Sequence, residues 1–166
     1  MRGSMTKATL VPALLLLLTL CLVPARGEAS HYLLTDLGLL AAEEVAALER
    51  VGITSSEQLL PRVIGPTERA ALQRLLLPAA VSAERLRELA CICDLLQLEG
   101  VGPTMVKLLR RAGVVDSRDL ASRDPRELAA LVLQVNQREA IAGRVPEESH
   151  LAGWIGVART LPVRVQ

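Results

Sequence analysis

The chain has almost no aromatic residues: phenylalanine is absent, and Tyr32 and Trp154 are the only aromatic side chains among 166 residues. A stacking platform for single-stranded nucleic acid, which needs several aromatic rings, is therefore excluded. Half of the residues are apolar (51%), so a core must consist of leucine, valine, isoleucine and alanine. Because leucine and alanine favour helices and the aromatic residues that favour strands are scarce, this composition predicts an all-α fold.

Groups that could perform catalysis are also scarce. The two histidines, His31 and His150, lie far apart in the sequence, and neither has a nucleophile at a recognisable motif spacing. The paired acids Glu43-Glu44 and Glu147-Glu148 fall in predicted first turns of helices, where they complement the helix dipole. No phosphate-binding loop, dinucleotide-binding motif or metal-binding motif is present. We therefore expect no enzyme activity, no cofactor and no metal.

Cysteine is limited to Cys21, Cys91 and Cys93. The last two are separated by one residue inside a helical pattern, so their side chains would diverge by about 200°. A disulfide between them would require a distorted backbone, and a zinc site would need two further ligands that the isolated histidines do not supply. We predict that Cys91 and Cys93 are buried apolar residues, not paired with each other.

One long apolar run is found, near the N-terminus. Residues 1–27 have the three parts of a secretory signal peptide: a positively charged start, a leucine-rich centre, and small residues at Ala25 and Gly27. We expect cleavage after Gly27 and a secreted or periplasmic protein. The alternative is an uncleaved membrane anchor, because the apolar residues 8–25 are just long enough to span a bilayer. Translation could begin at Met1 or at Met5.

The mature protein would be slightly acidic. Removal of 27 residues from 166 would leave 139, which suffices for one compact domain or two small ones. Three of the 19 basic residues lie in the leader, so 16 basic residues would face 18 acidic ones, a net charge of about −2. This balance disfavours nonspecific binding to nucleic acid or to anionic lipid, because such binding requires many phosphate neutralisations.

The chain repeats itself at an offset of about 61 residues. Six positions then coincide: Leu37, Val45, Leu48, Ile53, Ser56 and Leu59 fall on Leu98, Val106, Leu109, Val114, Ser117 and Leu120. At an offset of 65, the helical stripe Leu86, Leu89, Ala90, Cys93 and Leu96 falls on Leu151, Trp154, Ile155, Ala158 and Leu161. We predict two tandem units, 28–93 and 94–166, packed into one small helical domain.

Helix boundaries are marked by capping residues and glycines. Capping spacings occur at Thr54 and Glu57, at Asp116 and Asp119, and at Asp124 and Glu127. Gly52 and Gly113 are placed to end the preceding helices. The predicted helices span 41–50, 55–61, 66–77, 82–97, 103–112, 117–122, 125–137 and 147–161, and no sheet is expected.

The segment 98–103 joins two amphipathic helices and has the pattern of a helix-hairpin-helix element. Its glycines allow a tight turn with positive φ, and Gly102 is expected to take a conformation that a branched side chain tolerates poorly. Backbone N–H groups at the following helix start form a candidate phosphate seat. The candidate phosphate or DNA-binding residues are Gly100, Gly102, Thr104, Lys107, Arg110 and Arg111. The alternatives are close packing of two helices for the glycines and a solvated face for the basic residues.

A set of residues concentrated in the second unit points to a known family. The set comprises Gly100-Val101-Gly102, Leu109, Ala112-Gly113-Val114, Leu120, Arg123, Asn136, Val145-Pro146, Trp154-Ile155 and Ala158. With it the chain resembles, over 33–161, the bacterial family catalogued as domain of unknown function number 4332. The resemblance implies a tandem helix-hairpin-helix-like fold, similar to hairpin modules that bind DNA or protein, and no activity.

The first unit departs from that pattern. Leu39-Leu40-Ala41 stands where the Gly-x-Gly turn belongs, and Leu89 stands where the tryptophan recurs. This degenerate hairpin is a weak phosphate seat. We therefore expect an exported, non-catalytic module with an unidentified protein partner. The alternative is DNA binding outside the cytoplasm through the hairpin at 98–103, which the charge disfavours.

Overall fold

Helices account for the regular structure of the chain in residues 31–76, 81–162 and 165, which are described by a computed structural model. The α-helices are α1 (Ala42–Arg50), α2 (Ser56–Val63), α3 (Pro66–Leu75), α4 (Ala83–Leu96), α5 (Pro103–Arg111), α6 (Ser117–Ser122), α7 (Pro125–Glu139) and α8 (Glu148–Thr160). The predicted all-α fold is confirmed, and each helix begins and ends within two residues of its predicted bounds.

The predicted signal peptide, 1–27, lies outside the described residues. Among the helices that are described, none combines the length and the apolar character that crossing a membrane would require.

The capping residues act largely as predicted, with one shift of register. The Asp124 carboxylate accepts hydrogen bonds from the N–H groups of Arg126 and Glu127, both at 2.9 Å, and so starts α7. The capping pair predicted at Thr54 and Glu57 is wrong by one residue.

Helix α2 begins after Ser55. The Ser55 hydroxyl accepts a hydrogen bond from the Gln58 N–H at 3.3 Å, and the Gln58 side chain accepts one from the Thr54 N–H at 2.8 Å. The buried Ser56 selects this register, because its own hydroxyl accepts the N–H of Tyr32 at 3.2 Å. A start one residue earlier would rotate Ser56 away from that contact.

Gly52 and Gly113 end α1 and α5 as predicted. Both adopt the left-handed conformation, with φ of +79° and +88°, which favours glycine. In both turns the glycine N–H donates to the carbonyl of the residue three positions earlier. The N–H of the residue after the glycine donates to the carbonyl five positions before that residue. The chain therefore leaves both helices by the same geometry.

Positions 61 residues apart share more than these turns. Leu48 and Leu109 are both buried, and so are Ser56 and Ser117. The cap that precedes α2 also recurs before α6: Asp116 accepts the Asp119 N–H at 2.8 Å, and the Asp119 carboxylate accepts the Val115 N–H at 2.9 Å. The same two hydrogen bonds are formed 61 positions earlier by the residues from 54 to 58.

Two groups of helices pack around a shared core. Helices α2, α3 and α4 contact one another, while α6 and α7 both pack on α8, and α5 contacts α4 and α7. Helix α4 also contacts α6, and it is buried over most of its C-terminal half. Cys91 and Cys93 lie there, free and buried as predicted, and burial raises the pKa of the Cys93 thiol to about 12.

The end of α4 is tied to the start of α6 by a buried carboxylate. Asp94 is 2% exposed, and its Oδ2 atom accepts the Ser117 N–H at 2.8 Å. Its Oδ1 atom accepts a hydrogen bond from the Gln97 side chain at 3.1 Å. A carboxylate is favoured at a helix N-terminus by the helix dipole.

The segment before α1 is pinned to the loop between α1 and α2. The Leu34 N–H bonds to the Thr54 carbonyl, and the Ser56 N–H bonds to the Tyr32 carbonyl, both at 2.9 Å. A short 3₁₀ helix, Leu34–Asp36, follows, which the sequence did not predict. This attachment carries Tyr32 and Asp36 to the side of the molecule where α5 begins.

Candidate functional site

The hairpin between α4 and α5 was expected to take its shape from Gly102, and this is wrong. The left-handed residue of the turn is Gly100, with a φ of +79°, whereas Gly102 has a φ of −86° that any residue adopts. Gly102 matters for its lack of a side chain: a Cβ atom there would lie 3.1 Å from the Tyr32 hydroxyl. The first glycine sets the turn, and the second makes room for Tyr32.

Trp154 of α8 holds this turn in place. Its indole N–H donates a hydrogen bond to the Glu99 carbonyl at 3.0 Å. A Cβ atom at Gly100 would lie 3.5 Å from the same indole nitrogen, so the ring covers the turn closely. The turn is therefore fixed by the helix packed against it and is not an open loop.

The start of α5 offers few backbone donors to an anion. Pro103 occupies the first helical position and has no N–H. The N–H groups of Thr104 and Met105, in the same turn, have no acceptor within the helix. Thr104 is exposed, so its hydroxyl is accessible to a ligand.

The predicted basic cluster does not form one positive surface, because its two arginines are neutralised. Arg110 donates to the Glu88 carboxylate at 3.2 Å, and Arg111 donates to the Glu139 carboxylate at 2.6 Å. Lys107 is exposed and forms no ion pair with any residue that the structure describes.

The six candidate residues are also divided between different clefts. Thr104 and Lys107 line a cleft of about 530 Å³ together with Tyr32 and Asp36. Gly100 instead lines a cleft of about 190 Å³ beside Trp154, and Arg110 lines a third with Glu88 and Cys91. Tyr32 and Asp36 are site residues that sequence reasoning missed, because no motif links them to the segment 98–111.

A network of charged side chains holds the first hairpin. The Arg85 guanidinium donates to the Leu39 carbonyl at 2.6 Å and to both oxygens of the Glu44 carboxylate at 2.7 and 2.9 Å. Glu44 in turn accepts the Ala41 N–H at 2.8 Å. The turn at 39–41 is thus held from both sides by side chains, although it lacks the Gly-x-Gly sequence.

This network extends to the second hairpin. Arg85 also donates to Glu88 at 2.6 Å, and Glu88 accepts from Arg110, which donates to the Val115 carbonyl at 3.2 Å. The hydrogen bond and charge of Arg85 lower the pKa of Glu44 and outweigh the opposing effect of burial. Glu44 therefore stays ionised although it is buried.

The first hairpin contains a left-handed glycine after all. Gly38 has a φ of +59° and lies three positions before Ala41, which precedes α1. In the second hairpin Gly100 lies two positions before Gly102, which precedes α5. The first turn is one residue longer, so an alignment without a gap hides its glycine.

The polar residues of the family resemblance hold loops in shape. Arg123 binds the Asp119 carboxylate with two hydrogen bonds, at 3.0 and 2.9 Å, and donates to the Gly113 carbonyl at 2.8 Å. Burial would raise the pKa of Asp119, but hydrogen bonds from Arg123 and the Val115 N–H lower it. Asn136 bonds to the N–H and the carbonyl of Ala142, at 2.8 and 2.9 Å.

Each of these residues, like Trp154, contacts backbone next to a turn. The resemblance therefore identifies the residues that shape the scaffold.

The family model for a domain of unknown function (DUF4332) matches residues 39–161. Because the match covers most of the sequence, the chain belongs to this family. No curated protein and no solved structure matches the chain.

Proposed function

We propose that this member of the DUF4332 family is an exported, non-catalytic interaction module that binds a protein partner. We further propose that it consists of two tandem helix-hairpin-helix-like units, 28–93 and 94–166. The two-unit arrangement is supported by the shared burial, shared turns and shared caps at positions 61 residues apart.

One observation carries the choice of protein over nucleic acid. Arg110 and Arg111, which would have to contact phosphates, are paired with Glu88 and Glu139 on neighbouring helices. To bind DNA, the two arginines would have to leave their glutamates or contact phosphates and glutamates at the same time. The glutamate side chains would also repel the phosphates. A partner with mixed charge and apolar groups meets no such obstacle.

DNA binding stays the second candidate because of three features of the second hairpin. Gly100 forms a tight turn, Thr104 is exposed in the first turn of α5, and Lys107 has no acidic partner among the described residues. One free lysine at a helix start is a small electrostatic footprint, since each phosphate contact contributes only one cation to the salt dependence.

We predict weak binding to DNA. Titration of the exported protein with duplex DNA near physiological salt, about 0.15 M, is expected to give a dissociation constant well above micromolar. Changing Lys107, Arg110 and Arg111 together to alanine should alter it little. A micromolar or tighter constant whose salt slope falls by about one unit for each lost contact would reverse the ranking of the two functions.

We predict export with cleavage after Gly27. The expected mature protein begins at Glu28, because Ala25 and Gly27 provide the small residues that signal peptidase requires. Intact-mass measurement of the protein recovered from the cell envelope or the medium checks this. An intact N-terminus at Met1 or Met5 would instead support an anchor at 8–25 or a protein that is not exported.

The protein-binding proposal is tested by crosslinking in intact cells and purification of the tagged chain under denaturing conditions. A defined protein crosslinked in near-stoichiometric amount is the expected result. The crosslinked protein should be lost when the surface residues at its crosslink sites are changed and retained with a distant exposed change such as Arg74→Gln. Recovery of nucleic acid without protein would reject the proposal.

A further inference from the structure

A cleft of about 530 Å³ lies between the two hairpins, and we call it the hairpin cleft. One wall comes from the first hairpin, with Asp36, Gly38 and Leu39. The opposite wall is formed by the start of α5, with Thr104 and Lys107. Its volume falls within the range of about 300–1,000 Å³ that is typical of small-molecule sites.

The hairpin cleft presents one acidic and one basic group that do not bind each other. Asp36 and Lys107 both line it, and no ion pair joins them. Among the described residues, the Asp36 side chain accepts a hydrogen bond only from the hydroxyl of its neighbour Thr35, at 3.0 Å. Both charges are therefore available to a ligand.

The remainder of the lining is mixed in polarity. Leu39 and Ile141 are half-buried and provide apolar surface, while the Tyr32 and Thr104 hydroxyls can donate or accept hydrogen bonds. For an anion without an amine, repulsion by Asp36 offsets the attraction of Lys107, and for a cation without an acid, repulsion by Lys107 offsets the attraction of Asp36. A ligand that fits this lining carries both charges and an apolar body.

The walls of the cleft are held in position before any ligand arrives. On one side, the Leu39 carbonyl is bound by Arg85 at 2.6 Å. On the other, Tyr32 is fixed by the hydrogen bonds of its backbone to Ser56 and lies against Gly102. A preformed site loses less conformational entropy on binding.

We propose that the hairpin cleft binds a short zwitterionic peptide. Its amino group pairs with Asp36, its carboxylate pairs with Lys107 and accepts a hydrogen bond from the Thr104 hydroxyl, and its apolar side chains contact Leu39 and Ile141. This site goes beyond the proposed function, because it does not depend on a protein partner or on the hairpin turn at Gly100.

The test is a titration of the purified, ¹⁵N-labelled full chain with the dipeptide alanyl-leucine, followed by NMR. The amides of Gly38, Thr104 and Lys107 are expected to shift. N-acetylation of the dipeptide, or amidation of its carboxylate, should weaken binding about tenfold, because each removes a charge-assisted hydrogen bond.

Two variants test the two ends of the site separately. Asp36→Asn should weaken binding of the dipeptide about tenfold but not binding of its N-acetylated form, whose carboxylate the aspartate no longer repels. Lys107→Gln should likewise weaken binding of the dipeptide but not of its amide. Arg118→Gln, an exposed change outside the cleft, is the control and should bind as the parent does. Absence of shifts at millimolar dipeptide, equal binding of the blocked forms, or shifts confined to other amides would overturn the proposal. These outcomes are independent of whether a protein partner is found.

Discussion

Replacement of Arg85 by methionine is expected to lower the free energy of unfolding by about 3 kcal/mol. The change leaves the buried Glu44 carboxylate without its cation and the Leu39 carbonyl without its donor. The Arg85 side chain is only 23% exposed, so solvent screens this loss much less than at a surface pair. Urea unfolding of the variant beside the parent measures the difference.

Arg87→Met is the matched control for Arg85→Met. Arg87 lies one half-turn along the same helix, is exposed, and forms no ion pair among the described residues. Its loss should change the free energy of unfolding by less than about 0.5 kcal/mol. Similar losses at both positions would show that the network around Glu44 does not hold the first hairpin.

The effect of Arg85→Met should also depend on pH. Because Arg85 lowers the pKa of Glu44 in the folded protein, their interaction stabilises fully above the unfolded pKa of a glutamate, about 4.3. That stabilisation is lost as the pH falls through the lower folded-state pKa. Parent and variant should therefore become more similar in unfolding free energy below about pH 4, and a constant difference would point to packing instead of charge.

Gly100→Val is expected to cost about 2 kcal/mol, because a branched side chain is strained at the φ of +79° that this turn requires. Gly102→Val is its partner variant, two residues away. Its backbone is extended and suits valine, so only the contact with the Tyr32 hydroxyl opposes it, and the change should stay within about 1 kcal/mol. Thermal unfolding of both variants gives the comparison. An equal or larger loss at Gly102 would place the strained residue of the turn there.

The helices were predictable because their signals are local. Asp124 before Pro125 starts a helix and Gly113 ends one whatever the rest of the molecule does, since each acts on backbone groups within one turn. The capping register before α2 could not be settled in this way. Thr54 and Ser55 offer equivalent hydroxyls, and the choice depends on the distant Tyr32.

The candidate site was less predictable because its decisive partners are remote in sequence. Nothing around Arg110 indicates Glu88, and nothing around Arg111 indicates Glu139, yet these pairs determine whether the hairpin is a positive surface. The glycine of the first hairpin was missed for another reason. Gly38 is displaced by one residue relative to Gly100, and an ungapped comparison aligns Leu39 with that glycine.

Helix α4 has a consequence for how the molecule folds and how it can be divided. It spans Ala83–Leu96, so the boundary proposed between 93 and 94 falls inside it. Asp94, just after the boundary, accepts the Ser117 N–H at the start of α6, and Cys93, just before it, packs in the core. A fragment ending at 93 would lose the last three residues of that helix, and one starting at 94 would keep only those three, which are fewer than one helical turn. We therefore expect the two halves to unfold in a single cooperative transition. We also expect a protein that contains only one of the halves to be unstable unless it keeps a complete α4.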